Sequence, residues 1–171
     1  MSGKADISAA LVKELRERSG AGVMECKKAL QEAGGDIERA MAVLQQRGMA
    51  LAEKRMHRET AQGLVECYIH AGGRLGAMVE VNCETDFVAR TDDFKRLARD
   101  LAMQVVASSP LSVSEEDLPS GAEGDPGELC LLRQPFIKDE SRTVQEVVKE
   151  VIARTGENIR VRRFARFELG Q

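Results

Sequence analysis

Residues able to do chemistry are sparse in this chain, and their spacing limits what that chemistry can be. The 171 residues include two histidines and four cysteines (Cys26, Cys67, Cys83, Cys130). They carry no nucleophile–base motif, no phosphate-cradling glycine loop and no metal triad. Cys67 and His70 come nearest to a ligand pair. They lie three apart in a segment that alternates as a strand, which points their side chains to opposite faces. Glu84 and Asp86, two apart in an extended run, have no further acid nearby in sequence to form an acid–base pair. The chain therefore reads as a non-enzyme, with no cofactor and no metal expected.

What stands out is the run Val81-Asn82-Cys83-Glu84-Thr85-Asp86-Phe87-Val88-Ala89-Arg90. An apolar alternation ends there and an acidic residue and an aromatic follow at once. A carboxylate is costly to bury without a partner, and a phenyl ring is costly to leave in water. Side by side at a strand end, Asp86 and Phe87 suit a tip that is pushed into another molecule. Thr85 is a natural N-cap for a short turn that would hold both at its start.

Further candidates are less distinctive. Met24 falls off the apolar stripe of its helix and could serve as an adaptable contact, although on composition alone it fills a gap at a bundle edge. Lys27 and Lys28 read as a solvated face by the same standard. Arg160, Arg162, Arg163 and Arg166 could bind phosphate, but charge on one face of an edge strand also guards against aggregation, which is the reading we favour.

The elements that must position these residues follow from periodicity. Residues 6–47 read as three short helices. Asp6 or Ser8 caps the first, which carries Leu11, Val12 and Leu15 inward; Ser19-Gly20-Ala21-Gly22 breaks it. The second bears Val23, Cys26, Leu30 and Ala33 as one stripe. Asp36 caps the third, with Ile37, Ala40, Met41 and Leu44 inward and Gly48 closing it. Residues 1–48 thus form a domain resembling ubiquitin-associated bundles, and 49–60 a basic linker that could itself be helical. From Gly63 the period changes to alternation. Val65, Cys67 and Ile69 share one face, and Glu66, Tyr68 and His70 the other. A turn at Ala71-Gly72-Gly73 leads to a strand with Leu75, Ala77, Val79, Val81 and Cys83 on one face. A helix from near Thr91 places Phe94, Leu97, Ala98, Leu101, Ala102 and Val105 over the sheet. Residues 108–128 read as a flexible acidic loop. Thr143 caps a helix ended by Thr155-Gly156, and Asn158–Leu169 is the last strand. There Ile159, Val161, Ala165, Phe167 and Leu169 share a face, Phe164 takes the polar side, and a bulge is expected at Arg163. The fold class expected is α+β, a three-helix bundle followed by an antiparallel three-stranded sheet packed against helices, with the core domain over 61–171.

Composition sets the class of environment. The chain is 43% hydrophobic and 31% charged, with 4% aromatics and no Trp, as for an ordinary globular protein. A net charge of −3 exerts no general pull on nucleic acid or anionic lipid. No apolar run approaches a membrane span and the N-terminus lacks a signal-peptide core, so a cytoplasmic protein with free thiols is expected.

The run 81–90, together with Leu15-Arg16-Glu17-Arg18-Ser19-Gly20-Ala21-Gly22-Val23-Met24-Glu25-Cys26-Lys27-Lys28-Ala29-Leu30, closely resembles bacterial elongation factor Ts. The resemblance runs over 6–107 and, more loosely, 129–170, and is to a short form with a single core lobe. It implies a guanine nucleotide exchange factor for elongation factor Tu. By that resemblance Asp86 and Phe87 enter the partner near its nucleotide site, with Thr85 and Val88 shaping the tip, and the disturbance displaces its bound Mg²⁺; Val23, Met24 and Lys27 grip its GTPase domain. It further implies a homodimer that replaces the missing second lobe. Ser19 stands where Thr is commoner in the family. A generic adaptor or an RNA-binding module are the alternative readings.

Overall fold

The computed structural model describes residues 7–170. Its elements follow the expected α+β order. Helices α1 (Ala9–Ser19), α2 (Val23–Glu32) and α3 (Ile37–Arg55) come first, and then β1 (Gln62–Ile69) and β2 (Leu75–Cys83). A single turn α4 (Asp86–Ala89) and the long α5 (Asp92–Ser108) lead to α6 (Pro126–Leu129) and a small hairpin of β3 (Pro135–Phe136) and β4 (Asp139–Thr143). Helix α7 (Val144–Thr155) and β5 (Ile159–Glu168) close the chain. Of the two candidate caps for α1, Ser8 accepts the Leu11 N–H at 3.2 Å, and Asp6 lies outside the described residues.

Two hydrophobic clusters form. Leu15, Cys26, Ala29, Leu30 and Ala40 are fully buried at the centre of the bundle. Val23 leaves the stripe assigned to it and is half exposed, because α1 and α3 cover only the side of α2 that carries Cys26, Ala29 and Leu30. The larger cluster lies between the sheet and α5 and α7, with Phe94, Leu101, Val79, Val81 and Val144 fully buried. The sheet is antiparallel with strand order β1-β2-β5, so β5 is an edge.

Helix α3 crosses from one cluster to the other. Gly48 does not end it: the helix runs on to Arg55, and Ala52 is buried in the larger cluster. The residue is glycine for a different reason. A Cβ at position 48 would come within 2.9 Å of the Ala153 Cβ on α7, so the two helix backbones meet there at close range. The basic stretch after residue 48 is thus helical as far as Arg55, tied to α7 also by Lys149 Nζ–Glu53 at 3.0 Å.

Which faces of the sheet are buried is settled by register. Leu64, Glu66 and Tyr68 stand opposite the inward residues Val81, Val79 and Ala77, so Val65, Cys67 and Ile69 face outward. In β5 the register against β2 shifts between Glu80 and Val81: Glu80 pairs with Arg163, Val81 with Val161, and Arg162 is the extra residue. The bulge reverses the alternation beyond it. Phe164 packs on the core and Phe167 and Leu169 are exposed, opposite to the face assignment made from sequence. It also splits the arginines, with Arg163 outward on Glu80 at 2.7 Å and Arg166 beside Glu168 at 2.8 Å.

The segment 108–128 has more structure than an acidic linker needs. Ser112 and Val113 are buried, Ser112 forms a bridge with Cys130, and one 3₁₀ turn spans Glu115–Asp117. Gln104, fully buried, donates to Ser108, Gln134 and the Pro135 carbonyl and accepts the Ile137 N–H at 2.8 Å, which pins this region to α5.

Candidate partner-binding site

The tip grows directly from the end of β2. Thr85 is extended and caps α4, its Oγ1 accepting the Val88 N–H at 3.5 Å. That geometry makes Asp86 and Phe87 the first two residues of the turn. Val88 and Ala89 are 9% and 8% exposed and sink into the main cluster as a root. Phe87 is 78% exposed, the most exposed of the large apolar side chains among the described residues. Of the four residues, then, Phe87 and Asp86 form the surface, and Val88 holds the turn from beneath.

Local electrostatics are modest at the tip and stronger behind it. Asp86 meets Arg90 at 2.7 Å with both side chains well exposed, a pair that solvent screening limits to about 0–1 kcal/mol. The carboxylate is therefore easily handed to another cation. Behind it, the Cys83 thiol donates to the Thr85 carbonyl at 3.1 Å. Burial, and then the nearby Glu157 carboxylate, push this thiol up to about 11, so it stays protonated and structural. The Thr85 N–H and hydroxyl both donate to Glu157, at 2.9 and 2.6 Å. Sequence reasoning missed Glu157, because its partner lies 72 residues away and nothing in its own neighbourhood signals the contact.

On the bundle, Val23, Met24 and Lys27 are all exposed, Met24 at 63%. Val23 and Lys27 line a groove of about 700 Å³ between α1 and α2, together with Val12, Lys13 and Arg16. Lys13 and Arg16 went unnoticed in the sequence, although with Val12 their three- and four-residue spacing places them on one helix face. Met24 lies outside the groove lining. No group of three or more His, Cys, Asp or Glu side chains able to hold a metal is found among the described residues. No described helix is long and apolar enough to cross a membrane.

A family model described as Elongation factor TS matches residues 6–123 and 126–171, which takes in the tip, the groove and Glu157. The chain belongs to the elongation factor Ts family. It is 50% identical to elongation factor Ts of Heliobacterium modesticaldum, over 96% of this chain and 91% of that protein. Against elongation factor Ts of Desulforamulus reducens the identity is 48%, over 98% and 91%. Against that of Coprothermobacter proteolyticus it is 47%, over 97% of this chain and all of the relative. These alignments run over 195 to 197 positions, more than the 171 residues here, so the elongation factor Ts relatives carry residues that this chain lacks. As a family member the chain is a translation elongation factor.

Proposed function

We propose that this protein is the guanine nucleotide exchange factor for elongation factor Tu, acting in the cytoplasm. The observation that carries the reading is Phe87: a fully displayed phenyl ring on a turn whose next two residues are buried. Water makes such a ring costly unless another molecule covers it.

The mechanism is the one the family resemblance implies, and the exposed tip supports it. The α1–α2 groove, lined by Val12 and Val23 with Arg16, Lys27 and a Lys13–Glu17 pair at 3.8 Å, suits an amphipathic helix on the partner's GTPase domain. Met24 adds an adaptable apolar contact beside it. Phe87 then wedges between helices near the nucleotide, and Asp86 exchanges Arg90 for groups of the partner. Mg²⁺ demands near-ideal octahedral geometry, so small shifts of its ligands release it from the partner, and the GDP phosphates lose their counter-ion. Linkage makes the effect reciprocal: GDP and this factor weaken each other's binding equally, and incoming GTP drives the factor off. No bond is made or broken in this chain.

A homodimer fits the same reading. The outer sheet face carries the rows Cys67–Met78–Ala165 and Ile69–Gly76–Phe167, with Val65, Ile69, Met78 and Phe167 all exposed. Monomers rarely display a contiguous apolar sheet face. A second copy stacked face to face would cover it and present two fingers.

The test is release of labelled GDP from elongation factor Tu, followed with and without the protein. Strong acceleration is expected, and the acceleration should shrink once free Mg²⁺ is chelated. An unchanged release rate in the presence of Mg²⁺ would overturn the reading.

A further inference from the structure

Strands β2 and β5 share their last backbone pair at Cys83 and Ile159. Extending that register by one and two residues sets Glu84 opposite Asn158 and Thr85 opposite Glu157. Backbone pairing stops there, and each strand's free N–H is instead taken by a carboxylate of the other. The Asn158 N–H donates to Glu84 Oε1 at 2.6 Å, and the Thr85 N–H donates to Glu157 Oε2 at 2.9 Å. Glu157 Oε1 also accepts the Thr85 hydroxyl at 2.6 Å, which leaves the lone pairs of Thr85 Oγ1 to accept the Val88 N–H. Two charge-assisted bonds therefore fix the N-cap of α4, and with it the first residues of the turn, Asp86 and Phe87.

Glu157 is itself held firmly. Gly156, at φ 80°, ends α7 in the left-handed conformation that glycine adopts without strain, and this turns the chain towards the finger. Asn158, 3% exposed, donates its side-chain amide to the carbonyls of Met56 and Arg58, at 3.2 and 2.7 Å, just past the end of α3. The finger needs such support, because a single four-residue turn cannot hold its own conformation.

We propose that Glu157 is the positioning residue of the exchange reaction: it touches no partner, and it aims Phe87 by holding Thr85. The proposal rests on the reading of residues 85–88 as the exchange finger. Glu157→Ala removes both acceptors, so the ring samples orientations that do not wedge. Glu157→Gln keeps an oxygen for the Thr85 N–H, and its amide can donate to the Thr85 hydroxyl.

The experiment is stopped-flow release of labelled GDP from elongation factor Tu over a range of concentrations of the wild type, Glu157→Ala, Glu157→Gln and Phe87→Ala. Amide NMR spectra of the free variants accompany it. In Glu157→Ala the maximal acceleration should fall about tenfold and the half-saturating concentration should stay within about twofold, since the bundle groove is untouched. Glu157→Gln should recover to within about threefold of wild type. The Thr85 amide resonance should move, with changes confined to residues 84–88 and 157–158. A wild-type maximal rate in Glu157→Ala overturns the proposal, as do equal losses in both Glu157 variants with changes spread over the core. If the wild type itself fails to accelerate release, or Phe87→Ala has no effect, the finger reading falls and Glu157's role falls with it. If those two behave as expected and Glu157→Ala matches wild type, only the role of Glu157 is lost.

Discussion

Replacing Gly48 with alanine sets two effects of known size against each other. Gly48 sits inside α3 with helical backbone, so alanine there gains about 1 kcal/mol of helix propensity. Against this, the new Cβ would lie 2.9 Å from the Cβ of Ala153 on α7, closer than carbon atoms tolerate. Neither atom is the far end of a flexible side chain, so a helix must move. Overpacking of this kind costs about 1–3 kcal/mol. The steric effect should win, and Gly48→Ala should lose about 1 kcal/mol and lower the melting temperature by about 2–4 °C. Urea unfolding of Gly48→Ala, Ala153→Gly and the double variant isolates the contact. Ala153→Gly alone should cost about 1 kcal/mol through propensity. In the double variant the clash is gone, and a favourable coupling of about 1–2 kcal/mol should appear. A stabilised Gly48→Ala with additive behaviour would refute the close approach of α3 and α7, and with it the rigid link between the bundle and the core.

Three other outcomes are expected. Met24→Ala and Lys27→Glu, both on the surface of α2, should weaken binding to elongation factor Tu by about tenfold with unchanged melting; unaltered affinity in titration calorimetry would remove them from the contact. The Glu146 carboxyl is held below its ordinary 4.5 by the Thr143 N–H and hydroxyl, which it accepts at 2.7 and 3.0 Å. Its stabilising effect is complete above the unfolded value and is lost as pH falls through the lower folded one. Glu146→Gln should therefore lose less stability than wild type between neutral pH and about pH 3 in urea titrations, and parallel curves would contradict this. Ile69→Arg, on the outer sheet face, should turn dimer into monomer in sedimentation with little change in unfolding, and a wild type that sediments as a monomer would count against the second copy.

The exposure of Phe87 was legible because a strand ending in an acid and an aromatic makes little sense for a chain burying its own surface. The buried positions of α5 were equally plain, since Phe94, Leu97, Ala98, Leu101, Ala102 and Val105 repeat at helical spacing and all lie in the core. Four features were hidden for distinct reasons. Gly48 looked like a stop, because sequence does not distinguish a glycine that ends a helix from one that lets two helices meet. Phe164 and Phe167 exchanged faces because the sequence reading kept 159, 161, 165, 167 and 169 on one face, whereas one extra residue at Arg162 reverses every side chain beyond it. The outward face of β1 is apolar at Val65, Cys67 and Ile69, so hydrophobicity could not tell which side meets the core. Glu157 could not be found at all, since its role depends on a contact across 72 residues.

In the proposed mechanism the exposed ring of Phe87 does the wedging, while Glu157 aims it and the α1–α2 groove seats the partner. The direct measurement is the maximal rate of labelled GDP release from elongation factor Tu driven by Phe87→Ala, compared with wild type at equal occupancy of the complex. Because the ring is 78% exposed, the variant should unfold at the wild-type urea concentration while its maximal acceleration falls by about tenfold or more. A folded Phe87→Ala that drives release at the wild-type rate would contradict the account.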